Sequence, residues 1–362
     1  MREGGRERER LSFVKIYNSE KYHPNHKKYK FTKKKLLINK PKITNVIKNL
    51  SKYIKLYFNL FKNFGGEWEY LNKNKRYNYI KCLKENCLVS INKNFSNFFI
   101  NCTSYGICTP SFSDLTKFTK SQILFDIDSV REFVGLKNLT SLSINKTVGN
   151  PYGLIYKKKI IVPDVLRHYY FAQKIISLVG LKEKNKNLII EIGGGYGGLA
   201  KILKLSKLNH VFIGIDLIET LLIQYYFLKK QGIKVIIINK VKDIKEDCIN
   251  LVPYDYSEDF LKKIRNCSLL FNSRSFSEMS LKVLKKYFYL INNYLKPSYI
   301  YHENSNYLLF PKSKRHIEII GNKFPIDKNN YKLINLSISP FLGGSGRYRE
   351  FLYKKILTST RK

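Results

Sequence analysis

The stretch Leu188–Leu203, LIIEIGGGYGGLAKIL, joins a short apolar run to a helix-like tail through five glycines and one tyrosine. The run LIIEI has no polar alternation, which is typical of a strand buried on both faces of a parallel sheet. Glycine has no Cβ, so the chain can turn sharply here and a bound molecule can press against the backbone. The stretch predicts a strand, a ligand-binding turn and a helix, and a cofactor is the expected ligand.

Strands and helices alternate from this stretch towards the end of the chain. We predict strands at 188–192, 210–217, 234–238, 249–255, 268–273 and 298–304, helices at 199–205, 219–232 and 278–295, and a final strand pair around the loop PFLGGSG. This alternation favours a doubly wound, Rossmann-like α/β sheet with an antiparallel C-terminal strand pair. Upstream, 154–162 is predicted to form a hairpin and 163–180 a helix.

The first 145 residues have a different character. The segment 1–40 is polar and basic, so we expect a disordered lead-in, and its arginine-rich beginning leaves open whether Met1 is the true start. Apolar residues recur at helical spacing in 43–63 and 72–89, and 126–134 is a third helix candidate. The predicted organisation is a lead-in (1–40), a mainly helical region (41–145) and an α/β domain (146–362).

The composition restricts the classes of function. The chain has no run of about 18 apolar residues, so no membrane span is predicted. No apolar segment follows the charged N-terminus, so no secretory signal is predicted either. The six cysteines form no C-x-x-C pair, and their spacing matches no common zinc site. We therefore expect a cytoplasmic protein with reduced thiols and no bound metal.

The formal net charge of +39 suggests nucleic acid as a partner. The lysines are, however, spread along the whole chain among many Asn, Ile and Tyr residues, a composition that an AT-rich genome also produces. RNA therefore remains an alternative partner, and DNA is not expected. A basic face would equally suit the phosphates of a nucleotide sugar or an anionic membrane surface.

Two glycine patterns overlap in the loop. G-x-G-x-x-G, through Gly193, Gly195 and Gly198, is typical of a dinucleotide site. E-x-G-x-G-x-G, from Glu191 to Gly197, is typical of S-adenosylmethionine sites. A carboxylate repels a pyrophosphate but attracts the ammonium of a methionyl group. We therefore favour S-adenosylmethionine as the cofactor.

An acid at the end of the next strand supports a cofactor with a ribose. Asp216 follows Glu191 at the distance at which a strand–helix–strand unit places an acid for ribose hydroxyls. Both candidate cofactors contain ribose, so Asp216 does not discriminate between them. The predicted cofactor-binding residues are Glu191, Gly193, Gly195, Tyr196, Gly197, Asp216, Leu217 and Asn272.

Several segments of the chain resemble one bacterial family. EIGGGYGGLAKIL, IDLIETLLIQYYFL, LLFNSRSFSEM and YIYHEN, together with GNPYGLI and LRHYYFAQKI upstream, are similar to motifs of the bacterial sugar O-methyltransferases. The resemblance spans roughly residues 145–310, and Ile218 stands where that family often has proline. It implies a class I methyltransferase fold and methylation of a sugar hydroxyl, on a nucleotide sugar or a surface-glycan precursor. Enzymes of glycan biosynthesis are the implied partners. The helical N-terminal region is expected to supply acceptor contacts or a dimer surface for a second copy of the chain.

Methyl transfer to a hydroxyl needs a group that removes the hydroxyl proton. Glu278, His302 and Glu303 are candidates, because they lie at the carboxyl ends of the two strands predicted at 268–273 and 298–304. Ser275 and Glu278 also have the spacing of a capping box, and a surface position remains open for His302. The predicted substrate contacts are Arg274, Ser275, Asn304 and His168, although His168 also suits simple helix packing. The alternative functions are a methyltransferase that acts on RNA or on another small molecule, and a non-catalytic interaction subunit.

Overall fold

The computed structural model of the protein describes residues 28–32, 43–61, 66–108, 117–136, 138–180, 186–206, 208–306, 319–341 and 347–356. Within these ranges, no helix is both long enough and apolar enough to cross a membrane.

The described part of the N-terminal region contains five α-helices: α1 (Asn45–Leu56), α2 (Gly66–Tyr70), α3 (Tyr77–Glu85), α4 (Leu88–Phe95) and α5 (Lys117–Val134). The helical segment predicted at 72–89 is interrupted. A π-helical turn, Leu71–Lys75, precedes α3, and Asn86 ends α3 with a left-handed φ of 48°. The helix predicted at 126–134 is longer, because α5 already begins at Lys117.

A small sheet connects the N-terminal region to the rest of the chain. Strand β1 (Lys30–Phe31) pairs antiparallel with β2 (Leu154–Tyr156), which pairs with β3 (Lys159–Ile161) in the predicted hairpin. Strand β1 belongs to the segment 1–40 that was expected to be a disordered lead-in. The remainder of that segment, apart from 28–32, lies outside the described residues.

The α/β part contains the other strands and helices, in the order α6 (Asp164–Val179), β4 (Asn187–Ile192), α7 (Gly198–Leu205), β5 (His210–Asp216), α8 (Ile218–Lys230), β6 (Val235–Ile237), β7 (Ile249–Pro253), α9 (Ser257–Lys263), β8 (Leu269–Ser273), α10 (Leu281–Leu290), β9 (Tyr299–Ser305), β10 (Tyr331–Ile338) and β11 (Tyr348–Lys355). The strand order is β10-β11-β9-β8-β4-β5-β7-β6. The six strands from β4 to β9 run parallel, and β11 pairs antiparallel with both β9 and β10. The predicted architecture is confirmed: a doubly wound α/β sheet with an antiparallel C-terminal strand pair, preceded by a mainly helical N-terminal region.

Two apolar cores cover the two faces of this sheet. On β4, Ile189 belongs to the core that the sheet shares with the N-terminal helices, and Ile190 belongs to the core on the opposite face. Neighbouring side chains of a strand point to opposite faces, so both faces of β4 need apolar residues. This explains the continuous apolar run in the sequence. Ile47 of α1 and Leu221 of α8 lie in the same shared core.

The helix predicted at 278–295 begins later than expected. A 3₁₀ turn, Phe276–Glu278, comes first, and a π-helical turn, Ile291–Leu295, follows α10. Ser280 lies between the 3₁₀ turn and α10 and is extended, with φ −62° and ψ 149°. The chain therefore leaves the 3₁₀ turn before α10 starts. Of the loop PFLGGSG, residues 342–346 lie outside the described residues.

Candidate functional site

The glycine loop connects β4 to α7 at the carboxyl edge of the sheet. Gly193, Gly195 and Gly197 have φ values of +77°, +58° and +87°, a region that side chains with a Cβ rarely adopt. A Cβ at Gly193 would also lie only 2.0 Å from Oγ of Ser275. The glycines are therefore required by the turn itself, and Gly193 and Gly195 remain partly exposed, so a ligand can approach the backbone closely there.

Glu191 is a buried carboxylate beneath this loop. It is 3% exposed, and its Oε2 lies 2.7 Å from the position of a Cβ at Gly194. Among the described residues, Oε2 has no hydrogen-bond partner. Burial first, and the charge of Asp216 second, raise the pKa of Glu191 to about 8, while Arg167 opposes this shift. An unpartnered buried carboxylate is costly, so it fits a cationic ligand group such as an ammonium.

Asp216 ends β5 beside the loop. Its Oδ1 accepts a hydrogen bond from the backbone N–H of Leu217 at 2.8 Å, and its Oδ2 accepts one from Nε2 of Gln224 at 3.2 Å. Burial raises the pKa of Asp216 to about 7, assisted by Glu219. Leu217 is extended and precedes α8. The arrangement fits the predicted role of Asp216 towards ribose hydroxyls, because an ionised carboxylate accepts such donors.

Predicted site residues connect the carboxyl ends of the parallel strands β4, β8 and β9 through hydrogen bonds. The amide nitrogen of Asn272 donates to the carbonyl of Ile192 at 2.7 Å, and that of Asn304 donates to Oδ1 of Asn272 at 2.8 Å. The hydroxyl of Ser275 also donates to the carbonyl of Ile192, at 3.2 Å. The structure thus brings Asn272, Ser275 and Asn304 together, with these polar groups bonded to the protein itself.

Ser275 does not form the capping box that its spacing to Glu278 suggested. It has no side-chain cap hydrogen bond, and its backbone carbonyl accepts the N–H of Glu278 at 3.1 Å. Glu278 itself is half-buried. It lies near Tyr348, whose pKa is raised mainly by burial and, to a smaller extent, by the charge of Glu278.

Glu303 is held in a buried network of charged and polar groups. Arg274 binds both carboxylate oxygens, at 3.2 and 3.3 Å, and the hydroxyls of Ser273 and Ser339 donate at 2.7 and 2.6 Å. Arg167 of α6 adds a contact of 3.5 Å. Burial acts to raise the pKa of Glu303, but these partners outweigh it and lower the pKa to about 2. A carboxylate so fully bonded is a poor proton acceptor.

His302 lies on the other face of β9, among aromatic rings. Its ring stacks on Phe351 with centroids 4.7 Å apart, and Phe324 lies 5.0 Å away. The side chain is fully buried, and burial lowers its pKa to about 3. The ring is therefore neutral at neutral pH and packed away from solvent, which does not favour a role in proton transfer.

His168 of α6 lies against the start of α7. A Cβ at Gly198 would be 2.1 Å from its Nδ1, and its ring meets that of Tyr196 edge-on at 5.2 Å. Its Nε2 lies 3.8 Å from Oδ2 of Asp164, and burial lowers its pKa to about 4. This position joins α6 to the glycine loop and agrees with the packing alternative.

Two residues of the N-terminal region lie near the carboxyl edge of the sheet, although the sequence gave no reason to expect them there. The backbone carbonyl of Ile107 lies 3.1 Å from the position of a Cβ at Gly195, and Arg76 lies near Asp216. Neither residue belongs to a recognisable motif. Arg167 lies in the quoted segment LRHYYFAQKI, but its spacing gave no reason to select it. Within the described ranges, no group of three or more His, Cys, Asp or Glu residues could hold a metal ion.

Comparisons with known proteins give distant structural matches. No family model and no curated protein matches the sequence. The small RNA methyltransferase HEN1 is similar at 14% identity and a TM-score of 0.35, over 53% of this chain and 25% of that one. The mitomycin 7-O-methyltransferase MmcR matches at 13% identity and a TM-score of 0.33, over 52% of this chain and 57% of that one.

A third match is the ribosomal protein L11 methylase from Lactobacillus delbrueckii subsp. bulgaricus, at 13% identity and a TM-score of 0.33, over 52% of this chain and 79% of that one. The matched part of this chain thus spans only a quarter of HEN1 and little more than half of MmcR. At these identities and scores, the likeness does not extend to activity or substrate.

Proposed function

We propose that the protein is an S-adenosylmethionine-dependent O-methyltransferase that acts on a sugar hydroxyl. The observation that carries the donor assignment is the unpartnered oxygen of Glu191, buried beneath the glycine loop. The ammonium of the methionyl group would stabilise the ionised form of Glu191 and satisfy this oxygen, whereas the pyrophosphate of a dinucleotide offers no cationic group for it.

Three groups of this chain would hold the donor. Glu191 would face its ammonium, the backbone of Gly193–Gly197 would lie along it, and Asp216 would accept hydrogen bonds from its ribose hydroxyls. When bound, the donor supplies an activated methyl group. The protein then needs to orient the acceptor oxygen, exclude water and remove one proton.

Glu278 is our choice for the proton acceptor. It is half-buried, it follows β8 at the carboxyl edge, and it lies near Tyr348. The two competing candidates are less suitable, because Glu303 is bonded to two arginines and His302 is packed among aromatic rings. The guanidinium of Arg274 lies 4.4 Å from the centroid of the Tyr348 ring, so these two side chains would form one wall of the acceptor site.

The sugar acceptor rests on the family resemblance over roughly residues 145–310. A nucleotide sugar or a glycan precursor, and with it a cytoplasmic location, is therefore part of the proposal. RNA is the second candidate, favoured by the net charge of +39. Salt dependence separates the two acceptors, because RNA binding weakens steeply as salt rises and a neutral sugar does not respond in that way.

The proposal is tested by calorimetric titration with S-adenosylhomocysteine and, separately, with NADH. We expect micromolar binding of S-adenosylhomocysteine that is lost in Asp216→Ala and retained in Asp259→Ala, a surface control with an exposed side chain. Binding of NADH instead would contradict the donor assignment. Donor binding without methyl transfer to a panel of nucleotide sugars, glycans and RNA would favour the non-catalytic interaction subunit.

A further inference from the structure

The N-terminal region places a buried cation beside the donor side of the site. Arg76 is 0% exposed, and its guanidinium lies 5.1 Å from the ring centroids of both Trp68 and Tyr79. Its Nη1 donates to Oδ1 of Asn72 at 3.3 Å. Its Nε and Nη2 have no hydrogen-bond partner in the described part of the chain. Because a buried guanidinium cannot be deprotonated easily, its charge needs nearby carboxylates.

Those carboxylates are on α8 and on β5. The amide nitrogen of Asn72 donates to Oε1 of Glu219 at 2.8 Å, and the hydroxyl of Tyr79 donates to the backbone carbonyl of Glu219 at 2.7 Å. Glu219 is 2% exposed and is the second residue of α8, three positions after Asp216 in the chain. Contacts through Asn72 and Tyr79 thus hold Arg76 near the buried Glu219 and the half-buried Asp216.

Several charged or titratable groups face Asp216 from the elements packed around it. They are Glu191 of β4, Glu219 of α8, Tyr287 of α10 and Arg76, which precedes α3. Two of them are acids, which disfavour a charge on Asp216, and Arg76 is a cation, which favours it. The backbone N–H groups of Leu217 and Gly195 act in the same direction as Arg76.

We propose that Arg76 is a positioning residue for the donor: it favours the ionised form of Asp216, and this form accepts hydrogen bonds from the ribose hydroxyls. The inference rests on the proposed donor, and it goes beyond it by assigning part of donor binding to the N-terminal region. Arg76 itself is fully buried, so it acts through Asp216 without touching the donor.

The test is the pH dependence of S-adenosylhomocysteine binding, measured by calorimetry between pH 5.5 and 9. Burial and Glu219 raise the pKa of Asp216 to about 7, so wild-type affinity should increase as the pH rises through that value. Arg76→Gln should move this midpoint upwards by about one pH unit and weaken binding at pH 7 roughly fivefold. Arg76→Lys keeps the cation and should restore most of both effects.

Two further variants are measured: a surface control and a variant that should move the midpoint in the opposite direction. Arg131→Gln removes a cation from the surface, where Arg131 pairs with the exposed Asp128, and should change nothing. Glu219→Gln removes the acid beside Asp216 and should move the midpoint downwards, so it tests the proposal even if Arg76→Gln does not fold. Glu191 and the ligand ammonium also titrate in this pH range. They are present in every variant, so they do not change the differences in midpoint between the variants and the wild type.

The outcomes separate this inference from the proposed function. If the wild type does not bind S-adenosylhomocysteine at any pH, the donor assignment fails and this inference fails with it. If the wild type binds and the midpoint is the same in Arg76→Gln, or if Glu219→Gln moves it upwards, only the role of Arg76 is overturned. An Arg76→Lys variant as weak as Arg76→Gln, with an unshifted midpoint, would assign Arg76 to the fold alone.

Discussion

The hydroxyl of Tyr79 donates a hydrogen bond to the backbone carbonyl of Glu219 across a sequence separation of 140 residues, at 2.7 Å and out of contact with solvent. Burial raises the pKa of Tyr79 well above its usual value, so the phenol stays protonated and remains a donor. This bond attaches α3 to the beginning of α8, directly after Asp216. The N-terminal region is therefore joined to the donor side of the sheet.

Removing this hydroxyl should destabilise the protein. Tyr79→Phe leaves the buried carbonyl of Glu219 without this donor, which costs about 1–3 kcal/mol. Urea denaturation measures the difference in the free energy of unfolding. Tyr77→Phe is the matched control, because Tyr77 is 60% exposed. Equal stability of the two variants would show that the bond contributes nothing to the attachment.

The glycine loop should be far less tolerant than another glycine of the same conformation. Gly193 and Gly232 both have a φ of +77°, but a Cβ at Gly193 would meet Oγ of Ser275 at 2.0 Å, whereas a Cβ at Gly232 has no neighbour within 4 Å among the described residues. Gly232→Ala should cost about 1 kcal/mol, from backbone conformation alone. Gly193→Ala should cost clearly more and abolish S-adenosylhomocysteine binding. Denaturation and calorimetry on both variants check this, and similar values for the two would refute the steric argument.

Glu191 should make the ligand-free protein less stable as the pH rises. Burial raises the pKa of Glu191 to about 8, so the folded state keeps a proton that the unfolded chain releases above its ordinary value of roughly 4.3. The free energy of unfolding should therefore fall between about pH 4.3 and 8. Glu191→Gln has no proton to lose and should exceed the wild type at pH 8 by on the order of a few kcal/mol, with little difference at pH 4.5.

Denaturation at pH 4.5, 6.5 and 8 measures this effect, and Glu246→Gln is the control, because Glu246 is exposed and pairs with Lys186. The same Glu191→Gln variant should bind S-adenosylhomocysteine more weakly than the wild type. Unchanged binding would remove the basis of the donor assignment, and a parallel pH profile would show that Glu191 is not protonated in the folded state.

Glu278 should matter for turnover and not for donor binding. Glu278→Gln removes the proposed proton acceptor, and a loss of about 10²–10⁴ in kcat is expected, with the affinity for S-adenosylhomocysteine unchanged. Transfer of a labelled methyl group to the acceptor found in the nucleotide-sugar panel is the measurement. Glu85→Gln, on an exposed position of α3, should keep full activity. If Glu278→Gln is equally active, the proton leaves by another route.

Local sequence patterns predicted the sheet well, because strands and helices of this kind follow from periodicity over a few residues. The strand at β4, the glycine turn and α7 appear as expected, with Gly193, Gly195 and Gly197 in left-handed conformations. Helix boundaries were less predictable. The extended Ser280 separates a 3₁₀ turn from α10, although the apolar periodicity runs through without interruption.

The fold places two adjacent candidate proton acceptors on opposite faces of strand β9. His302 and Glu303 are adjacent, yet successive side chains of a strand point to opposite faces. His302 therefore stacks on Phe351, whereas Glu303 enters a network with Arg274. No spacing rule distinguishes the two, because their partners come from distant segments of the chain.

The sequence by itself determined the sheet, the glycine loop and the acids Glu191 and Asp216, since each depends on residues within one strand–turn–helix unit. Only the tertiary structure decided which polar groups are buried without a partner and which are neutralised. Arg76 lies more than 100 residues before Asp216 in the chain, and packing of the N-terminal helices brings them together. The physical reason is that burial and charge pairing are set by contacts between distant segments, which local periodicity does not encode.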